Sequence, residues 1–157
     1  MTVLQNVDDV IGSHTGRSRT VLQYCTVTKR LVDEAKKPGF SVNSWGPLAE
    51  LVAVDEFERV GAFKEVMKWP DYVEFLTQWA TSSKWECSFK HITESGGRVF
   101  LELEERSEVG DFTSVVNSLS VYEFTADDRI RHIDLYLQMT PPQPEMFKSF
   151  EGVELPQ

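Results

Sequence analysis

The stretch that decides the fold runs from Gly97 to Met139 and reads GRVFLELEERSEVGDFTSVVNSLSVYEFTADDRIRHIDLYLQM. It contains three long runs rich in β-branched and aromatic residues, separated by two turn clusters at 109–111 and 126–128. Such residues suit a pleated, half-buried surface. Because short polar breaks between long strands are typical of an antiparallel meander, we expect three consecutive antiparallel strands here.

The residues before Gly97 predict the helices that would cover this sheet. Apolar side chains recur at helical spacing in three places, each next to a proline or glycine that favours a helix boundary. The predicted fold class is therefore α+β, with an antiparallel sheet covered on one face by three N-terminal helices. The expected elements are a helix over 19–36, a shorter helix after Ser44, a short strand over 56–60, a third helix from Trp69 and a first long strand over 84–92.

The composition is that of an ordinary globular domain. The chain has 157 residues, of which 41% are hydrophobic and 26% are charged, so it can bury a core without disulfides. Its net charge of −9 argues against nucleic acid, which requires clustered Lys and Arg, and against an anionic membrane surface. We therefore expect neither a nucleic-acid partner nor a membrane partner.

Two features bear on cellular location. No run approaches the length of a membrane span, and the first residues lack an apolar secretory core, which predicts a cytoplasmic protein. Cys25 and Cys87 are then expected to be free, buried thiols in a reducing compartment.

Both ends of the chain lack the periodicity of the middle. Residues 1–18 are expected to form a flexible arm, 19–140 the folded domain, and 141–157 a proline-rich tail without regular structure. Phe147 and Phe150 of this tail could fold back over an open sheet edge or a pocket mouth.

Alternation along the strands predicts which side chains face the helices. On the first strand of the meander the apolar set shares its phase with a carboxylate, Glu105. On the last strand the leucines face inward, while His132 and Asp134 face a solvated or dimer-forming outer surface. His91 falls in phase with Phe89 on the strand before the meander. The middle strand of the meander is ambiguous, and a bulge would invert any assignment beyond it.

Several short motifs carry a resemblance to a known superfamily. They are LAELVAVD at 48–55, WPDYV at 69–73, His91-Ile92 before GGRV at 96–99, and Arg129-Ile130 entering the strand that holds Tyr136. In these motifs the chain, over roughly 18–139, resembles the nuclear-transport-factor-two-like superfamily, which includes SnoaL-like polyketide cyclases, ketosteroid isomerases and limonene epoxide hydrolases. The resemblance implies a cone-shaped α+β barrel with a curved sheet, whose open end holds a small apolar ligand. The same cone also serves as a binding scaffold without catalysis.

The resembled epoxide hydrolases use an Asp–Arg–Asp set, and only one of these three positions holds a chemically similar residue in this chain. The two Asp positions fall on Glu105 and Leu135, and the Arg position falls on Leu103. An epoxide hydrolase of this kind would therefore require Asp134 to face inward.

The other resembled enzymes place their functional residues elsewhere. The ketosteroid isomerase base falls on Val60, the helix tyrosine on Tyr24 and the buried acid near Ser120. The polyketide cyclases use an inward Asp or His, a part that His91 could play.

Glu105 and His91 are the candidate proton-transfer residues. A carboxylate in the phase of an apolar strand face is costly to bury, so its pKa should rise toward the range of a general acid or base. Histidine is the usual proton shuttle near neutral pH. The structural alternatives are a wet Glu105 at the rim of the sheet and a satisfied core histidine at His91.

Further candidates would polarise oxygen or bind substrate. Tyr24, Tyr122 and Arg59 could stabilise a developing oxyanion, although each tyrosine could equally bury its ring and reach water. The predicted substrate-binding residues are Asp55, Glu58, Ser118, Ser120, Trp45, Phe63 and Phe89, of which the aromatic ones could instead belong to the core.

Neither a metal nor an organic cofactor is expected. The three histidines, at 14, 91 and 132, lie on different predicted elements and lack ligand spacing. No glycine-rich phosphate loop is present in the sequence.

These observations favour a cofactor-independent acid/base enzyme. It would be a lyase, isomerase, cyclase or dehydratase that acts on a small apolar molecule, aromatic or polycyclic, and it would be a homodimer through the outer sheet face. The alternatives are a non-catalytic module for small-molecule binding or dimerisation, and an epoxide hydrolase.

Overall fold

The computed structural model describes residues 4–140, 148–154 and 156, and its elements follow the predicted order with two additions. The additions are a one-turn helix near the N-terminus and a short strand before the third predicted helix. In chain order the elements are α1 (Val7–Val10), α2 (Gly16–Glu34), α3 (Gly46–Ala49), β1 (Glu58–Val60), β2 (Val66–Lys68), α4 (Trp69–Ser82), β3 (Ser83–Ser95), β4 (Arg98–Val109), β5 (Phe112–Phe124) and β6 (Ile130–Gln138), with 3-10 turns at Ile11–Ser13 and Val42–Trp45.

The strands form one curved sheet in the order β2-β1-β6-β5-β4-β3. The predicted meander is confirmed, because β3 to β6 pair with their sequence neighbours in antiparallel register. The expectation of a purely antiparallel sheet is wrong, since β1 pairs with β6 in parallel. A parallel pair needs a long connection, which the chain between β1 and β6 supplies. The α+β class is confirmed, but the sheet is mixed and is not closed into a barrel, because β2 and β3 are its edges.

Helices α2 and α4 lie on one face of the sheet, called the inner face below, and enclose the core. The buried side chains of α2 recur at helical spacing, which confirms its predicted apolar stripe. Trp45, predicted to contact substrate, is instead fully buried in this core, where its indole N–H donates to Thr77 Oγ1 at 2.9 Å. None of the helices in the described part of the chain is long and apolar enough to cross a membrane.

The N-terminal segment is described from residue 4 onward, whereas part of the C-terminal tail is not described. Residues 4–18 pack against the domain instead of forming the flexible arm expected for 1–18. Val7 and Val10 are buried, and the Phe89 N–H donates to the Gln5 carbonyl at 2.6 Å. Pro141, Pro142, Pro144 and Phe147 of the predicted tail lie outside the described residues.

A β-bulge in β3 decides which of its side chains face the helices. The register with β4 shifts between Phe89, which pairs with Leu103, and His91. Lys90 is the extra residue, so His91 lies on the face opposite to the one that its alternation predicts. His91 is exposed, and its Nε2 atom lies 2.6 Å from the Thr93 hydroxyl. The predicted inward placement of His91 is therefore wrong.

Candidate functional site

A cavity of about 270 Å³ lies between the inner face of the sheet and helices α2 and α4. Its walls are mostly apolar, with a few polar groups among them, as in sites that bind small apolar molecules. Phe150 follows the undescribed part of the tail and packs against Phe63, with 5.2 Å between ring centroids, so it folds back on this cavity as predicted. The aromatic lining residues other than tyrosine are Phe63, Phe75, Trp79, Trp85 and Phe150.

The β1–β2 hairpin contributes a buried pair of opposite charges to the cavity. Arg59 on β1 is in register with the inward-facing Ile133, and Glu65 in the hairpin loop is only 1% exposed. The Arg59 Nη1 atom lies 3.9 Å from Glu65 Oε1, which is beyond direct hydrogen-bond distance. Glu65 Oε2 accepts a hydrogen bond from the Phe63 N–H at 2.9 Å. A buried carboxylate is costly, which makes Glu65 a candidate for chemistry.

Gly61 leaves room for the Glu65 carboxylate. A Cβ atom built on Gly61 would lie 1.7 Å from Glu65 Oε1 and 2.4 Å from Glu65 Cδ. The hairpin backbone holds the two residues together, since the Gly61 N–H donates to the Glu65 carbonyl at 2.9 Å. Lys64 adopts a φ of 64° in the turn between them. No larger residue fits at position 61 unless Glu65 moves.

Tyrosines supply a second set of polar atoms. Tyr24 on α2 and Tyr122 on β5 pack edge to face with ring centroids 5.8 Å apart, and Arg59 Cζ lies 4.9 Å from the centre of the Tyr72 ring. Burial raises the pKa of Tyr24 well above its ordinary value, and the nearby Tyr72 and Tyr122 raise it further. Burial likewise raises the pKa of Tyr122. Both hydroxyls therefore stay protonated at neutral pH and are available as hydrogen-bond donors.

Two donors that line the cavity have no hydrogen-bond partner within 3.5 Å among the described residues. They are the Tyr24 hydroxyl and Arg59 Nη1, and both atoms are buried. Leaving a buried donor unpaired costs about 1–3 kcal/mol, so such atoms are rare unless a ligand or water completes them. Since both residues line the same cavity, an acceptor oxygen of a ligand would satisfy them.

Glu105 also lines the cavity, in the orientation that its alternation on β4 predicts. Its Oε1 atom accepts a hydrogen bond from the Trp85 indole N–H at 2.9 Å. Glu105 is half-buried, and its direct partner across the β3–β4 ladder is Cys87. One carboxylate oxygen is therefore held by the protein.

The structure brings part of the predicted site together. The predicted residues that line the cavity are Glu105, Tyr24, Tyr122, Arg59, Phe63 and Ser120. Among the residues that the structure describes, those predicted for the site but absent from this lining are His91, Asp55, Glu58, Ser118, Trp45 and Phe89.

Each of the displaced residues has a local reason for its position. Asp55 is exposed in the turn before β1. Glu58 precedes Arg59 on β1, so alternation sends it to the outer face, and Phe89 pairs with Gln5 of the N-terminal segment. Ser118 is buried on β5, and its hydroxyl has no hydrogen-bond partner in the part of the chain that the structure describes.

Sequence reasoning missed Glu65, the one carboxylate that is fully buried among the described residues. The available signal was Gly61 between two short runs containing Val60 and Val66, a pattern that suits a hairpin. The second run forms β2, which has only three residues and is too short to be recognised by alternation.

The outer face of the sheet carries charges that pair with one another. His132 Nδ1 lies 3.4 Å from Glu58 Oε1, and His132 Nε2 lies 3.1 Å from Asp134 Oδ1. Asp134 therefore faces outward, so it does not supply the inward acid that the epoxide hydrolase alternative requires. Glu123, His132 and Asp134 are close enough to hold a metal ion, but Glu123 already pairs with two arginines. The homodimer through this face stays a prediction.

The structure is similar to several solved structures, although no protein-family model and no curated protein matches the sequence. The BvnE pinacolase from Penicillium brevicompactum aligns with a TM-score of 0.62 and 7% identity, over 85% of this chain and 89% of that one. An NTF2-like protein of unknown function from Exiguobacterium sp. 255-15 aligns with a TM-score of 0.58 and 13% identity, over 74% and 99% of the two chains. An LEH-like epoxide hydrolase from M. tuberculosis aligns with a TM-score of 0.52 and 16% identity, over 82% and 90%.

Likeness at such low identity concerns the fold, because one fold hosts many unrelated activities. The resemblance that the sequence motifs indicate is confirmed at this level. The chain thus has the nuclear-transport-factor-two-like fold, in an open, mixed-sheet form whose inner face holds an aromatic cavity with a buried carboxylate.

Proposed function

We propose that the protein is a cofactor-independent acid/base enzyme that moves a proton on a small, largely apolar, oxygen-bearing molecule. The observation that carries this proposal is a buried carboxylate, Glu65, in one aromatic cavity with two buried donors, on Tyr24 and Arg59, that lack a hydrogen-bond partner among the described residues. The fold is shared with a pinacolase and with an epoxide hydrolase, which supports small-molecule chemistry as the class.

The two donors define where the substrate oxygen would lie. The charge of Arg59 is close enough to Tyr24 to lower the pKa of its hydroxyl, against the larger opposite effect of burial. Both residues line the same cavity. Donors that are already oriented in a water-poor site stabilise negative charge as it develops on an oxygen. A carbonyl oxygen that becomes an enolate oxygen fits this arrangement.

Glu65 would be the base. Its Oε2 atom is engaged by the Phe63 N–H, so Oε1, on the side of Arg59, is the atom left to accept a proton. The proton would come from the carbon next to the substrate carbonyl, and the electron pair of the broken C–H bond would move toward the carbonyl oxygen. A positioned carboxylate of this kind contributes about 10²–10⁴-fold to a proton transfer.

Glu105 would provide a second position for a proton. The Trp85 indole holds one of its oxygens, and Glu105 acts on Tyr122 electrostatically, so these groups adjoin the tyrosine side of the cavity. Protonation of a second carbon there would give an isomerase, and protonation of a leaving hydroxyl would give a dehydratase. The aromatic walls favour an aromatic or polycyclic substrate.

The test uses carbonyl compounds as probes. Cyclic and aromatic ketones are first screened for binding through the fluorescence of Trp79 and Trp85, which line the cavity. Ketones that bind are then incubated with the protein in D₂O, and deuterium uptake next to the carbonyl is followed by mass spectrometry. We expect wild-type protein to catalyse uptake and Glu65→Gln to reduce its rate by about 10²-fold or more.

The matched control is Glu104→Gln, since Glu104 lies on β4 next to Glu105 but is not among the residues lining the cavity. Equal rates for wild type and Glu65→Gln would refute the role of Glu65. Ketones that bind without any exchange, with an affinity that is flat between acid and neutral pH, would favour the non-catalytic binding module instead.

A further inference from the structure

Two cysteines from distant parts of the sequence meet at the wall of the cavity. Cys25 Sγ on α2 lies 3.4 Å from Cys87 Sγ on β3, although the residues are 62 positions apart. Both are free thiols, with Cys25 buried and Cys87 half-buried. The contact is therefore a product of the tertiary fold, and the acid/base proposal makes no use of it.

The two sulfur atoms share a hydrogen bond, and they differ in how deeply they are buried. This bond, and after it burial, raises the pKa of the Cys25 thiol well above its ordinary value. Cys25 therefore keeps its proton at neutral pH. Cys87 is the more accessible of the two sulfur atoms, and an oxidant is attacked by an accessible thiolate, so Cys87 is the sulfur that reacts first.

Cys87 can be reached through a second cavity, of about 310 Å³, beside the N-terminal segment. Its lining is largely polar and includes two cations, Lys29 and Arg106, together with two acids, Asp8 and Glu86. Cys25 lines both this polar cavity and the aromatic one, so it forms part of the wall between them. A small water-soluble oxidant can therefore approach the thiol pair from the polar side.

We propose that Cys25 and Cys87 form a redox modification site, which a small hydroperoxide converts into an intramolecular disulfide. The Cys87 thiolate attacks the O–O bond, becomes a sulfenic acid, and releases the remaining oxygen as an alcohol or water. The Cys25 sulfur then attacks the Cys87 sulfur, the S–O bond breaks, and hydroxide leaves with the Cys25 proton as water. The two thiols lose two electrons in total, and the hydroperoxide gains them.

The disulfide would act on the aromatic cavity because of where its two ends lie. The sulfur atoms must approach from 3.4 Å to about 2.05 Å, so the two side chains, or the parts of α2 and β3 that carry them, must shift at this point. Tyr24 is next to Cys25 on α2, and Glu105 is the cross-strand partner of Cys87. The bond therefore ties together two walls that carry polar groups of the site.

The experiment treats the reduced, native protein with hydrogen peroxide and measures its intact mass and its free thiols after quenching and unfolding. We expect the mass of two hydrogen atoms to be lost, both thiols to disappear, and peptide mapping to show a Cys25–Cys87 link that a reductant reverses. In Cys25→Ser, Cys87 should stop at the sulfenic acid, which adds one oxygen atom and reacts with dimedone. In Cys87→Ser, Cys25 should remain unreacted at the same peroxide concentration.

Three results would overturn the proposal. The first is oxygen addition to the native protein without loss of hydrogen, and the second is a disulfide between molecules. The third is a native protein that does not react under conditions where the urea-unfolded chain forms the link. Since Cys25 is buried and its serine variant could fail to fold, Cys87→Ser provides an independent check, and oxidation of Cys25 in that variant would contradict the assigned order.

Discussion

The two faces of the sheet differ in how many polar side chains they carry and in how fully those side chains are paired. On the outer face charged groups are numerous and satisfy one another, as where His132 lies between Glu58 and Asp134. On the inner face polar groups are few, and the Tyr24 hydroxyl and Arg59 Nη1 have no hydrogen-bond partner among the described residues. An abundance of charge is therefore a poor guide to a functional site. A better guide to a functional site is a buried polar group that lacks a hydrogen-bond partner inside an apolar cavity.

The two faces also differ in how strongly their ion pairs should bear on stability. Exposed pairs contribute about 0–1 kcal/mol each, because water screens them and the side chains lose freedom. Breaking a buried pair costs more, since the remaining partner is left as an uncompensated charge. Matched substitutions on the two faces therefore provide a direct comparison.

The largest effect on stability is expected for Glu65→Ala. It leaves the Arg59 guanidinium, of which only 13% is exposed, without its counter-charge, and should lower the free energy of unfolding by about 3 kcal/mol. Urea unfolding followed by circular dichroism measures this change. The control is Glu123→Ala on the outer face, where two arginine partners are exposed and the loss should stay below about 1 kcal/mol. Equal losses would mean that the two faces do not differ in this way.

A somewhat smaller effect is expected for Gly61→Ala. The added Cβ would collide with the Glu65 carboxylate, so the variant should lose about 2 kcal/mol of unfolding free energy and most of the deuterium exchange that depends on Glu65. Gly46→Ala is the control, because a Cβ there meets nothing within 4 Å. In the double variant with Glu65→Ala the collision is absent, so the two losses should be less than additive. Full additivity would show that Gly61 does not act through Glu65.

The smallest effect is expected in alkaline solution. The pKa of Tyr24 and that of Tyr122 are raised in the folded protein, while in the unfolded chain both tyrosines ionise near 10.0. The folded state then holds more protons than the unfolded state above that pH. Stability is therefore unaffected below about pH 10 and falls as the pH rises beyond it.

Tyr24→Phe removes one of these two titrations and should make the alkaline decline shallower. Thermal unfolding at several pH values between neutral and alkaline measures the slope. Tyr136→Phe on the outer face, where the residue is 59% exposed, should leave the slope as it is in wild type. An identical slope in Tyr24→Phe and wild type would contradict the burial argument.

Prediction from the sequence succeeded where the chain obeys a regular period over many residues. Along β4, strict alternation placed Glu105 on the same face as Leu103, and the register with β5 runs without interruption. Along β3 the same reasoning failed at His91, because Lys90 forms a bulge. An extra residue in a strand reverses the faces of the side chains that follow it. Nothing in the local sequence marks Lys90 as the bulged position.

The candidate catalytic residues also differ in whether the sequence could reveal them. Tyr24 could be proposed from its position on a long helix, and Arg59 from the resemblance, which places the pocket wall after the second predicted helix. Glu65 could not, since it lies in a loop between two strands of three residues each, and its burial depends on the space left by Gly61. Short strands carry too few residues for a periodic signal.

Local sequence alone settles the α+β class, the meander and the stripe of α2, because helical and strand periods are properties of the backbone and repeat within a single segment. Tertiary structure decides the parallel pairing of β1 with β6, the pairing of Arg59 with Glu65 inside the cavity, and the meeting of Cys25 with Cys87. These contacts depend on how separate segments pack and on which of their groups lose access to water. Neither the packing of separate segments nor the burial of particular groups can be read from any one stretch of the chain.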